Sequence, residues 1–166
     1  VGTGPGYICR ELAKRVSEVK IVGLEISSLM LKAARKNIDE AGLSGRILLQ
    51  AGNAERMPFK SKSFDGVISN SSLHHWQEPV AVFNEIRRVL KDGGRFLICD
   101  LRRDAPGIPV AMIYLLLSDR NREGFLNSVK AAYTLKECEQ LLAKSELENF
   151  QVLNLFMNLI VIPRDF

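Results

Sequence analysis

Cysteines are scarce in this sequence, and none is placed for a disulfide framework or a zinc site. The chain has three among its 166 residues, and they are far apart, odd in number and without a C-x-x-C spacing. Disulfide-stapled secreted domains and zinc ribbons are therefore excluded, and a reducing cytosol fits best. The longest apolar runs are also well short of the roughly 20 residues that a membrane span needs. We predict a cytoplasmic protein that requires no metal and has no membrane partner.

An excess of charge of one sign is also missing. The formal net charge is +4, and lysines and arginines alternate with acids in segments such as KNIDEAG and NEIRRVLKDGG, so no basic stripe forms. This argues against nucleic acid as a partner. The 46% hydrophobic and 25% charged residues are typical of one globular domain with a sizeable core, so we predict a single domain over residues 1–166.

The sequence does have a regular alternation of strand and helix patterns. Apolar runs predict strands at 20–26, 46–52, 64–70 and 94–101, and helical spacing predicts helices at 7–16, 28–41 and 79–90. A helical region at about 108–130, a helix opened by the capping box Thr134–Glu137, and two strands joined by a tight turn around Asn158 follow. This order predicts a doubly wound, Rossmann-like α/β fold with a mostly parallel sheet and an antiparallel C-terminal strand.

A glycine-rich turn, Gly2-Thr3-Gly4-Pro5-Gly6, directly precedes the first predicted helix. Glycines let the backbone turn sharply and let a nucleotide-like ligand approach the main chain where a Cβ would intrude. Glu25 follows about 20 residues later at the end of a strand, where an acid in such folds accepts hydrogen bonds from ribose hydroxyls. Its charge would repel a 2′-phosphate, which favours a free ribose. The alternatives are a plain tight turn and a solvated strand-end glutamate.

Five segments carry a more specific resemblance: VGTGPG, GLEIS, GNAERMPF, FDGVISNSSLHHW and EIRRVLKDGGRFLICD. In this order and spacing they resemble the successive motifs of class I S-adenosylmethionine-dependent methyltransferases, of the small-molecule type that includes ubiquinone and menaquinone biosynthesis enzymes. The resemblance covers residues 1 to about 101. It implies S-adenosyl-L-methionine as the cofactor and a small-molecule methyl acceptor, whose identity the sequence does not reveal.

The resemblance also implies which residues hold the cofactor. Glu25 would bind both ribose hydroxyls, and Ile26 would pack on the adenine. The methionine and ribose parts would lie against the glycine-rich turn, at Gly2, Thr3, Gly4 and Gly6.

Two further pairs of residues are implied in the same way. Asn53 would accept a hydrogen bond from the exocyclic amine of the adenine, and the backbone N–H of Ala54 would donate to a ring nitrogen. The family more often has aspartate at the first of these positions, so asparagine keeps the acceptor but loses the charge. Asn70 and Ser71 would run past the sulfonium.

The chain has only two histidines, His74 and His75, and both lie in the segment after the fourth motif strand. Since imidazole titrates near neutral pH, either could act as a general base that deprotonates the acceptor. The alternative is that they serve loop packing and cofactor contact.

Two functions of a different class stay open. A nicotinamide-dependent oxidoreductase would need G-x-G-x-x-G, but Tyr7 occupies the third glycine position. The second open function is that of a non-catalytic cofactor-binding fragment or partner subunit. It stays open because Val1 leads into the glycine-rich turn without a preceding strand. We expect the natural protein to extend upstream, or another segment to fill the position of the missing strand.

The charged residues after the last motif strand have two interpretations. Arg102, Arg103 and Asp104 would either bind an acidic substrate or form a solvated loop. A homodimer is also left open by the sequence.

Overall fold

The computed structural model describes residues 1–165, which form two compact α/β units. The first unit spans Val1–Phe59 and the second begins at Lys60. The prediction of a single domain stays a prediction. No helix within residues 1–165 combines the length and the apolar character needed to cross a membrane.

The first unit consists of a two-stranded parallel sheet and its helices. Its elements are α1 (Tyr7–Arg15), β1 (Ile21–Glu25), α2 (Ser28–Glu40), β2 (Ile47–Ala51) and a 3₁₀ helix (Ala54–Arg56). Local sequence sets the ends of α2: the side chain of Ser27 accepts a hydrogen bond from Met30 N, and Gly42 follows the last turn with φ 68°. The core of the unit is made of Cys9, Ala13, Ala34, Ile38 and Ile47.

Arg46, just before β2, fixes the corner between α1 and β1. Its guanidinium donates hydrogen bonds to the carbonyl oxygens of Ala13 (2.7 Å), Val16 and Val19 (3.2 Å). The last carbonyls of a helix have no partner within the helix, so a cation that bonds to them stabilises the helix end. Helix α1 is therefore held at its C-terminal end, while its N-terminal end continues from the glycine-rich turn.

The second unit is a four-stranded sheet with four α-helices. Its elements are β3 (Phe64–Asn70), a 3₁₀ helix (Leu73–His75), α3 (Pro79–Val89), β4 (Leu90–Leu101), α4 (Gly107–Leu116), α5 (Asp119–Ala131), α6 (Leu135–Leu142), β5 (Phe150–Leu155) and β6 (Asn158–Pro163). The strand order is β3-β4-β6-β5. β3 and β4 are parallel, whereas β6 is antiparallel to both β4 and β5. The predicted antiparallel C-terminal strand is thus confirmed.

Helix α3 supplies much of the core of this unit, and its first turn begins at Pro79, as predicted. Most of the fully buried side chains come from one face of α3, from α6 and from strands β4 and β6. They include Val82, Phe83, Ile86, Val89, Ile98, Leu142, Leu159 and Val161.

One predicted turn was misplaced by a residue or two, and one predicted helical region consists of two helices. The turn between β5 and β6 lies at Phe156 and Met157, and Asn158 is already the first residue of β6. Phe156 closes this two-residue turn with φ 57°, a conformation that a bulky side chain rarely adopts, while Met157 is buried. The helical region predicted at 108–130 is divided into α4 and α5, because Ser118 takes an extended conformation (ψ 151°) before α5 begins.

Helices α4 and α5 contribute no buried residue to the unit. They pack on each other, and α5 also contacts the 3₁₀ helix at Leu73–His75. Large apolar side chains of α4 face solvent, namely Ile108, Met112, Leu115 and Leu116.

Candidate functional site

The glycine-rich turn has the backbone that its sequence predicts. Gly2, Gly4 and Gly6 have φ values of 64°, 51° and 82°, all in the left-handed region that favours glycine. A Cβ on Gly6 would lie 3.2 Å from the Cβ of Ala34, so this glycine allows α1 and α2 to pack closely. A Cβ on Gly4 would meet no protein atom within 4 Å. The space beside Gly4 is therefore open to a ligand.

Glu25 holds this turn in place. Its Oε2 accepts a hydrogen bond from Gly4 N and its Oε1 accepts one from Ser27 N, both at 2.9 Å. Thr3 N also donates to the carbonyl oxygen of Leu24, the preceding residue of β1, at 3.0 Å. The sequence analysis missed this role of Glu25, since a ligand-binding acid and a loop-ordering acid have the same local pattern. Each carboxylate oxygen has a further lone pair, so the side chain can still accept hydrogen bonds from hydroxyls.

Apolar side chains next to Glu25 are unusually exposed. Ile26 is 71% exposed and Leu29, at the start of α2, is 69% exposed, so neither belongs to the core. Exposed apolar groups beside a polar anchor suit the packing of a planar apolar ring. Ile26 is available for the role that the resemblance implies, and Leu29 is a further candidate that the sequence analysis did not single out.

Asn53 has a structural role that was not predicted. Its Oδ1 accepts a hydrogen bond from Glu55 N at 2.9 Å, which caps the 3₁₀ helix Ala54–Arg56. One lone pair of this oxygen remains for an amine donor. Ala54 is the first residue of the 3₁₀ helix, where a backbone N–H has no partner within the helix. The pair therefore retains one acceptor and one donor for a purine edge.

In the second unit, Asn70 ends β3 and Ser71 follows with φ 53°. Ser71 N donates to the carbonyl oxygen of Cys99 on β4 at 2.8 Å, and Asn70 Nδ2 contacts Ser71 Oγ at 3.1 Å. Both residues are exposed at the carboxyl end of the parallel strands. Ligands of open α/β sheets bind at this edge, so the position suits the predicted role without testing it.

The two histidines differ sharply in environment. The side chain of His74 is only 3% exposed, and its Nδ1 lies 2.7 Å from Oδ1 of Asp100, itself 2% exposed. His75 is exposed, and the centroid of its ring lies 4.0 Å from that of His74. The sequence analysis did not single out Asp100, because 26 residues separate it from His74 and no local pattern connects them.

Trp76 secures the same segment. Its Nε1 donates to Ser72 Oγ at 3.0 Å, and its ring packs edge-on against Phe83 of α3 at a centroid distance of 5.7 Å. These contacts anchor the histidine-containing 3₁₀ helix to the core of the second unit.

The charged residues after β4 are paired with their own neighbours. Arg102 Nε bonds to Asp104 Oδ1 at 2.8 Å, and this hydrogen bond holds the pKa of the Asp104 carboxyl below its usual value. Arg103 bonds to Glu137 and to the carbonyl oxygen of Ala132. Through Arg103, the segment that follows β4 is bonded to the start of α6. These contacts favour a structural role over an acidic-substrate site.

Within residues 1–165, no group of three or more histidine, cysteine or acidic side chains is arranged to hold a metal ion. The thiol of Cys138, in the core beside α3, is not a nucleophile candidate, because burial raises its pKa to about 12.

Comparison with known proteins adds an independent line of evidence. A family model described as methyltransferase domain matches residues 1–98. A demethylmenaquinone methyltransferase from Lactiplantibacillus plantarum is 36% identical over 110 residues, which cover 66% of this chain and 45% of the relative. A malonyl-[acyl-carrier protein] O-methyltransferase from Legionella pneumophila is 33% identical over 104 residues, which cover 63% of this chain and 36% of the relative. The chain thus spans less than half the length of these two relatives.

The likeness in fold extends further than the likeness in sequence. The crystal structure of an S-adenosylmethionine-dependent methyltransferase from Aquifex aeolicus matches with a TM-score of 0.73 at 18% identity, and the match covers 98% of this chain and 78% of that one. The C-terminal part, which lies outside the family match, therefore shares the same fold.

Proposed function

The chain belongs to the methyltransferase domain family, and from this membership we propose that it transfers a methyl group from S-adenosyl-L-methionine to a small-molecule acceptor. The family and the cofactor predicted from the sequence motifs are those that the comparisons support. One structural observation carries the proposal: a left-handed glycine-rich turn is tied by Glu25 to the end of β1 and leaves open space beside Gly4.

The first unit offers donors and acceptors that fit S-adenosyl-L-methionine. Open space beside Gly4 admits a ligand against the main chain, and the carboxylate of Glu25 retains lone pairs for the two ribose hydroxyls. Ile26 presents an exposed apolar side chain to a planar base. Asn53 and Ala54 present one acceptor and one donor, the complement of an adenine edge. The predicted roles of Asn70 and Ser71 beside the sulfonium stay predictions.

Bound S-adenosyl-L-methionine supplies a methyl group on a positively charged sulfur, which a nucleophile displaces in line. The chain needs to hold donor and acceptor in a near-attack geometry, which contributes on the order of 7–11 kcal/mol to lowering the barrier. Glu25 fixes the glycine-rich turn through hydrogen bonds to two backbone N–H groups of the chain itself, so this part of the site is preorganised. A general base adds roughly 10²- to 10⁴-fold where the acceptor has to lose a proton, and His74 and His75 are the candidates for that role.

We propose a small-molecule acceptor and do not assign its chemical class. The two curated relatives act, by their names, on a demethylmenaquinone and on a malonyl group of an acyl-carrier protein, which are chemically unlike. Nucleic acid is not among the expected partners, and a homodimer remains one option.

Calorimetric titration tests the proposed function and separates it from the dehydrogenase alternative. We expect S-adenosylhomocysteine, the product form of the cofactor, to bind and NAD not to bind. Heat on titration with NAD and none with S-adenosylhomocysteine would contradict the proposal. Transfer of radiolabelled methyl groups to a panel of hydroxyl-, amine- and carbon-acid acceptors then separates an enzyme from a non-catalytic cofactor-binding subunit.

A further inference from the structure

We propose that Asp100 is a positioning residue that holds His74 with the lone pair of Nε2 ready to take a proton from the methyl acceptor. The inference rests on the proposed function and deepens it, because it selects one of the two histidines as the base and adds a residue that the sequence motifs do not assign.

The carboxylate of Asp100 determines which nitrogen of His74 carries the hydrogen. Its Oδ1 lies 2.7 Å from His74 Nδ1 and accepts from Leu101 N at 2.7 Å, and its Oδ2 accepts from His74 N at 2.9 Å. All of its bonds are to nitrogen atoms, and a carboxylate can only accept. Nδ1 of His74 is therefore the protonated nitrogen.

The other ring nitrogen is left without a partner. Nε2 of His74 is buried, and no residue within 1–165 forms a hydrogen bond with it. A hydrogen on Nε2 would be a buried donor with no acceptor, which is unfavourable, so this nitrogen carries a lone pair instead. Buried polar atoms in folded proteins nearly always have partners, and the exceptions are explained by a catalytic role, by strain, or by a bound water or ion. A lone pair that takes a proton from an acceptor hydroxyl is the explanation that fits a histidine already held by a carboxylate.

The position of the pair in the sheet is that of a ligand site. His74 lies in the 3₁₀ helix after β3, and Asp100 is the penultimate residue of β4. β3 and β4 are adjacent and parallel, so both groups are at the carboxyl edge, where ligands of open α/β sheets bind. An aspartate that orients a histidine, whose second nitrogen faces the reacting group, is the arrangement used for general-base catalysis on several unrelated folds.

The proposal brings the acceptor to Nε2 through a local opening of α5, with α4 packed on it. Helix α5 contacts the 3₁₀ helix that contains His74, and neither α4 nor α5 has a buried residue. Elements with so little buried apolar surface open at a small fraction of the free energy of global unfolding. The covering of Nε2 is therefore compatible with access during turnover.

The chemistry points to an acceptor that carries an acidic proton, such as a hydroxyl group. Its O–H bond breaks as the proton passes to Nε2 of His74, and the electron pair left on oxygen forms the new bond to the methyl carbon. The pair of the broken carbon–sulfur bond stays on sulfur, which becomes a neutral thioether. Asp100 stabilises the imidazolium that forms, and the proton then leaves to solvent.

Two readouts that need neither an acceptor nor turnover test the proposal. The first is the tautomer of His74 by ¹⁵N NMR, which is simple to assign because the chain has only two histidines and the variant His75→Gln removes one. The second is acylation of imidazole by diethyl pyrocarbonate, an electrophile that needs an accessible nitrogen lone pair, followed by peptide mass spectrometry.

We expect the Nδ1–H tautomer at His74 and acylation of His74 in the folded protein, more slowly than at the exposed His75. Asp100→Asn frees the tautomer and should slow acylation of Nε2 by at least about tenfold. Asp104→Asn removes an exposed carboxylate of the same segment and should leave both readouts unchanged. If Asp100→Asn fails to fold by circular dichroism, the two readouts on the unaltered protein decide.

An Nε2–H tautomer, or a His74 that stays unmodified while His75 is fully acylated, would overturn the inference and leave a purely structural His74. Failure of the proposed function has a different signature: S-adenosylhomocysteine would not bind by calorimetry, whatever the state of His74.

Discussion

Replacing Glu25 with glutamine separates the ordering of the glycine-rich turn from the rest of the cofactor site. The carboxylate accepts hydrogen bonds from Gly4 N and Ser27 N, one on each oxygen, both at 2.9 Å. Glutamine keeps one acceptor oxygen but places an NH₂ donor against the other backbone N–H. One charge-assisted bond is therefore lost and the other loses its charge.

The magnitude follows from these two bonds. A hydrogen bond to a charged group contributes about 1.5–3 kcal/mol, and the partial exposure of Glu25 favours the lower end of that range. A loss of about 1.5–2 kcal/mol corresponds to a dissociation constant raised roughly 10- to 30-fold. Loss of bonds to the ribose hydroxyls would add to this effect.

Calorimetric titration of S-adenosylhomocysteine into Glu25→Gln measures the change, and circular dichroism confirms that the variant is folded. Glu40→Gln is the matched control, because Glu40 is an exposed carboxylate of α2 that pairs with Lys36 at 3.8 Å. It should bind like the unaltered protein. An affinity of Glu25→Gln within twofold of that of the control would show that the turn is not part of the cofactor site.

Gly6→Ala tests the packing around the glycine-rich turn, with Gly124→Ala as the control, both measured as the free energy of unfolding in urea. Gly6→Ala should cost about 1–3 kcal/mol, because φ is 82° and the new Cβ would lie 3.2 Å from Ala34, whereas Gly124→Ala, in the middle of α5 with open space around it, should stabilise by roughly 0.5–1 kcal/mol. Equal effects would mean that neither the left-handed φ of Gly6 nor its close approach to Ala34 constrains this position. The backbone N–H of Thr134 holds the pKa of Glu137 below its usual value. Its contribution is therefore present above the pKa of the unfolded chain and is lost as pH falls through the folded value, so Glu137→Gln should flatten the fall in melting temperature between neutral and acid pH. An unchanged slope would show that the hydrogen bond between the Glu137 carboxylate and the backbone N–H of Thr134 contributes nothing to stability beyond what water provides.

Most elements were predictable because their signals are local. The capping box of Thr134 and Glu137 lies within a few residues of the helix start that it fixes, and it was predicted correctly. The cap that Ser27 provides for α2 is equally local. The turn before β6 was not predicted correctly, because Phe156 adopts a positive φ and neither glycine nor asparagine occupies its position to indicate a turn. Met157, the second residue of that turn, is buried, and no local pattern predicts this tertiary contact.

The residues of the candidate site also fall into a group with local sequence signals and a group without them. The glycine-rich turn and Glu25 were visible because their spacing is fixed along the chain, and so was the pair of histidines. Which histidine is held, and by what, was not visible, since Asp100 meets His74 only after β3 and β4 have paired. The double use of Glu25 and Asn53, each already bonded to backbone N–H groups, likewise depends on three-dimensional geometry.

Arg46 has a consequence for which parts of the first unit tolerate substitution. The corner at residues 16–20 contains neither glycine nor proline, and its shape comes from carbonyl oxygens that converge on one planar guanidinium. Lysine has a single ammonium without that fork and cannot reproduce the arrangement. Side chains such as Ser17 and Glu18 are exposed and can vary freely. In relatives that have this corner, we expect the arginine and the number of residues in the corner to be conserved together. The identities of the corner residues should vary.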